Sequence, residues 1–225
     1  AAPKDVLPNK AAQPTEAPTQ QAQTTQAAPT EQPTPEPDPV QQLLEEMTME
    51  QKVGQLFLVR PDSLDLSQTQ DQINDAKADG VTELTDAMRQ TLAEYPVGGV
   101  VIFGKNLESP QQITQFLDDL QQASDTPLFT AIDEEGGLVA RLANNAAFDL
   151  PQYESAAAVG TSGNPEDARA MGRTIGGYLK KYGFNLDFAP VADVNTNPDN
   201  PVIGTRAFSS EPQTAADLVG GACAG

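Results

Sequence analysis

Three consecutive carboxylates directly follow the apolar run PLFTAI of residues 127–132. They are Asp133, Glu134 and Glu135. Neighbouring side chains of an extended segment point to opposite sides, so these three cannot all face one ligand. We expect Asp133, the first residue after the run, to be able to accept hydrogen bonds from paired hydroxyl groups. A loop of solvated acids is the alternative interpretation.

Two features after the carboxylates could complete such a site. The pair Gly136-Gly137 permits a close approach of the backbone or a positive φ. Arg141 lies eight residues after Asp133 and could bring a cation back to the same place. A surface arginine is the alternative for this residue.

A second cluster lies in NLDFAPVADVNTNPDNPVIGTRAFS, residues 185–209. Asp187 falls within an apolar strand pattern and Asp193 just past it, and the density of Asp, Asn and Pro predicts a rigid, hydrogen-bonded loop. Arg206 has apolar neighbours, which favours burial against a carboxylate or an orientation toward a ligand. The Asn and Asp residues suggest calcium, but the loop spacing and closing Glu of a calcium site are missing, so no metal is predicted.

The residue types that are absent exclude several chemistries. The chain has no histidine, which removes the commonest general base, the usual catalytic zinc ligand and every Ser-His or Cys-His arrangement. Its one cysteine, Cys223, is predicted to be a small buried apolar group rather than a reactive thiol. No cofactor is predicted.

The net charge restricts the partners. The 225 residues carry 13 basic and 32 acidic side chains, for a formal charge of -19. Nucleic acids and anionic membrane surfaces would be repelled, so neither is expected as a partner. No window approaches the roughly 18 consecutive apolar residues of a membrane span, and the sequence starts with no signal-peptide pattern.

Residues 1–39 differ in composition from the rest. They hold nine of the 19 prolines together with many Gln, Thr and Ala. Such a segment cannot bury enough apolar surface to offset its ordering entropy, which predicts a disordered, solvated linker. A proline-rich linker acts as a spacer, so we expect attachment to the cell envelope or an extracellular location. An inconsequential terminus and a cytoplasmic location remain the alternatives.

From residue 40 onward, apolar runs alternate with amphipathic patterns. Strands are predicted at 55–59, 97–103, 127–132 and 185–191, and this alternation indicates a parallel sheet covered by helices. No strand is followed by G-x-G-x-x-G, which argues against a dinucleotide-binding fold. Polar residues cluster just past the strand ends, as at the rim of a barrel. They are Arg60, Lys105, Asn106, Asp133, Glu134, Glu135 and Asp193. A closed (β/α)₈ barrel and an open doubly wound sheet are the candidates. The polar rim favours the α/β TIM-type (β/α)₈ barrel, of which only about the first half is present.

Five segments in register resemble glycoside hydrolase family 3, in its bacterial β-N-acetylglucosaminidase branch. The resemblance covers about residues 43–225 and rests on MTMEQKVGQLF, VGGVVIFGKN, IDEEGGLVARL, NLDFAPVADVN and NPVIGTRAFS. It implies that residues 40–225 form the N-terminal half of a barrel domain. It also implies a carbohydrate substrate, namely terminal β-linked N-acetylglucosamine of peptidoglycan or chitin-type fragments.

The resemblance assigns roles residue by residue. Asp133 matches the aspartate that binds sugar hydroxyls, Arg141 the arginine that closes onto the sugar, and Arg206 the arginine of the later loop. Asp193 matches a supporting rim position. Leu138 departs from the pattern, since the family often has arginine there. With Arg141 retained, we expect the binding geometry to survive.

The catalytic groups of a retaining glycosidase are not among these residues. The resemblance places the acid/base histidine and the nucleophilic aspartate beyond residue 225, so this chain is expected to have no catalytic residues and to be inactive by itself. Two alternatives stay open. One is a non-catalytic sugar-binding or cell-surface module, and the other is a β-glucosidase-type or phosphorolytic member of the same family.

Overall fold

The computed structural model describes residues 38–225. Residues 39–225 form a compact unit, which begins with helix α1 at Pro39. The linker prediction for residues 1–39 falls almost entirely outside the described residues.

A parallel sheet of four strands forms the centre of this unit. Its strands, in the order in which they are hydrogen-bonded, are β1 (Leu58–Val59), β2 (Gly99–Ile102), β3 (Phe129–Ile132) and β6 (Leu186–Asp187). This order follows the chain, as in a sheet built from successive strand–helix units. The parallel α/β architecture predicted from the alternation of apolar runs is confirmed.

Two of the strands are much shorter than their apolar runs. In the run 55–59, Gln55 caps the preceding helix and only Leu58–Val59 pair with β2. In the run 185–191, the strand ends at Asp187, and Pro190, which has no N–H to donate, soon follows. Apolar composition therefore identified the strands but overestimated their lengths.

Eight α-helices accompany the sheet within residues 38–225. They are α1 (Pro39–Glu46), α2 (Met49–Gly54), α3 (Gln70–Asn74), α4 (Asp86–Glu94), α5 (Pro110–Ala123), α6 (Ala156–Gly160), α7 (Pro165–Lys181) and α8 (Pro212–Cys223). None of the helices in this part of the chain is long and apolar enough to cross a membrane.

Helix ends follow the signals read from the sequence. The Thr48 side chain accepts the N–H of Gln51, whose side chain accepts the N–H of Thr48, as the capping-box pattern predicts. α7 ends before Gly183, which takes a φ of 94°. The polar and acidic composition of segment 61–80 predicts a loop. The segment instead contains α3, which begins with the same kind of capping box at Thr69.

The core lies between the sheet and the helices that pack against it. Most of the largest fully buried apolar side chains come from the strands and from α4, α5 and α8. They include Met88, Leu92, Ile102, Ile113, Phe116, Leu117, Leu120, Ile132 and Leu218. The expectation that Cys223 is buried is wrong: it is the last residue of α8 and its side chain is exposed, while the adjacent Ala222 faces the core.

A short antiparallel hairpin follows β3 directly. It consists of β4 (Glu134–Gly136) and β5 (Val139–Ala140). Gly136 and Gly137 form the turn with φ values of 79° and 76°, a backbone region that other residues rarely adopt. The glycine pair was predicted to allow a positive φ, and the hairpin it permits returns the chain toward the end of β3.

Candidate functional site

The three adjacent carboxylates have three different environments. Asp133 is partly exposed at the carboxyl end of β3, Glu134 is fully buried, and Glu135 is buried next to a different arginine. The alternation of side-chain directions predicted that they could not share one site, and each has its own partner.

Asp133 and Arg141 form an ion pair at the carboxyl ends of the strands. The distance from Arg141 Nη2 to Asp133 Oδ2 is 3.0 Å, and the two side chains are 27% and 32% exposed for Asp133 and Arg141 respectively. The arginine therefore returns to the aspartate, as its spacing indicated. Both groups remain open to solvent, so a ligand can reach them.

Phe103, one residue beyond β2, provides a ring against which two arginines lie. The guanidinium carbon of Arg60 is 4.3 Å from the ring centroid and that of Arg141 is 5.6 Å from it. Such contacts are favourable because the face of an aromatic ring carries partial negative charge. The contact restricts the position of the Arg141 side chain beside Asp133.

Glu134 holds the segment that follows Arg141. Its carboxylate accepts the N–H groups of Leu142 and Ala143, both at 2.9 Å, and the hydroxyl of Tyr178 at 2.8 Å. Burial, together with the negative charge of Glu134, raises the pKa of Tyr178 well above its usual value, so the hydroxyl stays protonated and continues to donate.

Glu135 and Arg206 form a bidentate pair. Arg206 Nε lies 2.8 Å from Glu135 Oε2, and Nη2 lies 2.5 Å from Oε1. Hydrogen bonding to Glu135 raises the pKa of Arg206. Burial against a carboxylate was one of the two environments predicted for Arg206, and the structure shows that environment.

Asp193 is more exposed to solvent than Asp133, Arg141 and Arg206. Its side chain is exposed, and its negative charge contributes to the raised pKa of Arg206 after the larger effects of Glu135. The backbone of its loop is tied down nearby, because the N–H of Asn195 donates to the carbonyl of Ser209. Of the effects on the pKa of Arg206, the charge of Asp193 is the smallest, and that of Asp133 is larger.

Asp187, at the end of β6, hydrogen-bonds to the chain beside Asp133. Its Oδ1 accepts the N–H of Glu134 at 3.0 Å. Burial raises the pKa of Asp187 to about 6, the charges of Glu134, Asp133 and Glu135 act in the same direction, and the bond from Glu134 acts against them. The sequence identified Asp187 as an aspartate in an apolar strand but gave no indication of its partner.

A polar cluster lies next to this site, and only some of its residues were predicted from the sequence. Asp62 is fully buried and binds Lys105 Nζ at 3.3 Å and Asn106 Nδ2 at 3.0 Å. Lys105 and Asn106 were predicted at the rim, and they are there, but their polar groups are occupied by protein partners. The missed partner Asp62 lies in the segment that was predicted to be a loop.

The arrangement is suited to binding neutral hydroxyl groups. A carboxylate accepts hydrogen bonds and a guanidinium donates them, so Asp133 and Arg141 together match two adjacent hydroxyls of a ring. Within residues 38–225, no group of three or more His, Cys, Asp or Glu side chains could hold a metal ion.

A parallel α/β sheet with polar side chains gathered at the carboxyl ends of its strands has the arrangement of a barrel enzyme, whose active site lies at that end. Residues 48–225 match the glycosyl hydrolase family 3 N-terminal domain, and the chain belongs to that family. The domain is a (β/α)₈ barrel, and the chain contains part of it.

Individual relatives agree with this assignment. The chain is 36% identical to beta-hexosaminidase A of Pseudoalteromonas piscicida over 143 residues, which are 61% of this chain and 24% of the relative. It is similar to the structure of a family 3 beta-N-acetylglucosaminidase from Paenibacillus sp. str. FPU-7, with a TM-score of 0.65 and 33% identity over 78% of this chain and 30% of that one.

A second similar structure carries a sugar derivative. NagZ from Neisseria gonorrhoeae, solved with N-trifluoroacetyl-D-glucosamine, has a TM-score of 0.58 and 25% identity, over 64% of this chain and 43% of that one. The chain spans between 24% and 42% of the length of the curated beta-hexosaminidases it matches.

Proposed function

We propose that the chain is the sugar-binding part of a β-N-acetylhexosaminidase that acts on terminal β-linked N-acetylglucosamine of peptidoglycan or chitin-type fragments. The observation that carries the proposal is the solvent-accessible pair of Asp133 and Arg141 at the strand ends. The relatives named beta-hexosaminidase and the sugar analogue bound to the Neisseria protein support the same sugar class.

Within this proposal each site residue has a distinct role. Asp133 accepts hydrogen bonds from the sugar hydroxyls and Arg141 donates to them. Arg206, held by Glu135, presents its remaining N–H groups from the later loop, and Asp193 supports Arg206 by its charge. The acid/base histidine and the nucleophilic aspartate of a retaining mechanism are proposed to lie outside these 225 residues.

Binding of N-acetylglucosamine to the 225-residue chain tests the proposal. We expect saturable shifts of the backbone amide signals of residues 133–142 in an NMR titration. Asp133→Asn replaces a charged acceptor and should weaken binding about tenfold or more, because hydrogen bonds to charged groups contribute about 1.5–3 kcal/mol. Asp118→Asn, an exposed aspartate on α5, removes the same charge and should bind as the unchanged protein does.

The outcomes separate the alternatives. Equal binding of glucose and N-acetylglucosamine would favour a β-glucosidase-type member of the family. Hydrolysis of a chromogenic N-acetylglucosaminide by this chain would contradict the proposed place of the catalytic groups. Absence of any saturable sugar binding would contradict the proposed role of Asp133 and Arg141.

We also propose that the proline-rich segment 1–39 acts as a linker that holds the domain at the cell envelope. Its composition supports the proposal. Antibody labelling of intact cells of the source organism should detect the domain at the surface, whereas labelling only after lysis would contradict it.

A further inference from the structure

Two hydrogen bonds to residues at the end of β6 hold the backbone before and after Asp133. On one side, the N–H of Phe188 donates to the carbonyl of Ile132 at 2.9 Å. On the other, the Asp187 side chain accepts the N–H of Glu134 at 3.0 Å. The second bond replaces a backbone ladder bond by a side chain, so the orientation of the peptide after Asp133 depends on one carboxylate.

We propose that Asp187 is a positioning residue, which fixes the Asp133 carboxylate through the peptide group of Glu134 and couples sugar binding to its own protonation. The proposal rests on the proposed function, since Asp133 is the sugar ligand in it. Asp187 itself touches no sugar in this scheme. It acts on the ligand only through the backbone of its neighbour.

Asp187 has the environment that such a coupling needs. The titratable and charged groups around it come from every element packed against β6. They are Asp133 after β3, Glu134 and Glu135 in β4, Tyr178 and Lys180 in α7, and Cys223 in α8, with Arg141 and Arg206 paired to Asp133 and Glu135. Burial and the charges of the three neighbouring carboxylates oppose the ionisation of Asp187.

The direction of the effect follows from these surroundings. Because burial raises the pKa of Asp187 to about 6, its carboxylate is ionised above that pH and protonated below it. An ionised acceptor forms a hydrogen bond roughly twice as strong as a neutral one. The peptide after Asp133 is therefore held firmly at neutral pH and loosely at acidic pH, and sugar binding weakens as pH falls through about 6.

NMR spectroscopy of the whole chain tests the coupling in two independent ways. Without sugar, we expect the amide signal of Glu134 and the carboxyl carbon of Asp133 to shift together with a midpoint near pH 6. With N-acetylglucosamine, we expect the dissociation constant of the sugar to rise about three- to tenfold as the pH falls through the same midpoint.

Asp187→Asn is the matched variant, because its amide oxygen still accepts the N–H of Glu134 but does not titrate. It should remove the step near pH 6 from both measurements and bind sugar at all pH values as the wild type does at low pH. Asp118→Asn, on the exposed surface of α5, should leave both profiles unchanged.

The results distinguish this inference from the proposed function. The positioning role is overturned if the backbone amide signal of Glu134 does not shift near pH 6, or shifts equally in Asp187→Asn, whether or not sugar binds. The coupling is overturned if the amide signal of Glu134 shifts near pH 6 but the affinity for sugar does not change there. Absence of sugar binding at every pH overturns the proposed function, while the Asp133 carboxyl signal still decides whether Asp187 fixes that group.

Discussion

Adjacent carboxylates in this chain do different work because each meets a different set of donors. Asp133 pairs with Arg141 and stays accessible, and Glu135 pairs with Arg206. Glu134 is buried, and the groups that donate hydrogen bonds to it are neutral. Three such donors, two of them backbone N–H groups, stabilise the Glu134 carboxylate. A buried charge of this kind is tolerated only while its donors remain in place.

Removing those donors or that charge should therefore destabilise the fold. We expect Glu134→Gln to lower the free energy of unfolding by about 2–4 kcal/mol, because the new amide N–H₂ would face N–H or O–H donors. Tyr178→Phe removes one donor of three and should cost about 1–2 kcal/mol. Urea denaturation followed by circular dichroism measures both, and a Glu134→Gln variant as stable as Tyr178→Phe would contradict this account.

The sequence allowed only part of this site to be predicted. Asp133 and Arg141 are eight residues apart and joined by a glycine turn, so their meeting follows from local geometry. The partners of Glu134 and Asp187 could not be predicted, because Tyr178 and Asp187 approach from 44 and 53 residues away along the chain. Which of the three adjacent acids are buried, and against which partner, depends on that tertiary packing, and composition carries no signal for it.

At the scale of elements, the helices were more predictable than the strands. Caps such as Thr48 with Gln51, and the stop at Gly183, are decided by residues within one turn of the helix end. Strand lengths depend on whether a neighbouring strand is present to pair with. β6 therefore pairs over only Leu186–Asp187, although its apolar run is longer.

Helices α7 and α8 pack so closely that a glycine is needed in the contact. A Cβ at Gly172 would overlap the carbonyl oxygen of Ala222 in α8. Gly172→Ala should therefore separate the helices and lower the free energy of unfolding by about 1–3 kcal/mol. Gly177→Ala, in the same helix but with nothing near its Cβ position, should raise it by up to about 1 kcal/mol.

Chemical denaturation of both glycine variants under identical conditions checks the packing. The two substitutions add the same methyl group to the same helix, so helix propensity favours both equally. Only the contact with α8 separates them. Equal stability of the two variants would mean that α7 and α8 do not approach as closely as Gly172 and Ala222 do here.

At the scale of the whole molecule, the sheet of residues 38–225 ends in two strands with unpaired edges, β1 and β6. Apolar side chains lie exposed beside both: Leu56 and Phe57 before β1 are 78% and 55% exposed, and Phe188 after β6 is 48% exposed. Unpaired edges with apolar neighbours promote association between chains. The charge of -19 opposes it by repulsion, and salt weakens that repulsion.

We therefore expect the 225-residue chain to self-associate, and more strongly at high than at low ionic strength. Leu56→Lys places a charge beside the edge of β1 and should reduce association, because charged residues at an edge discourage strand pairing. Leu66→Lys makes the same change at a residue that is 70% exposed but lies in a turn, and it should leave association unchanged. Sedimentation velocity over a concentration series measures the effect. A chain that stays monomeric in high salt, or two lysine variants that behave alike, would show that the open edge of β1 does not drive contact between chains.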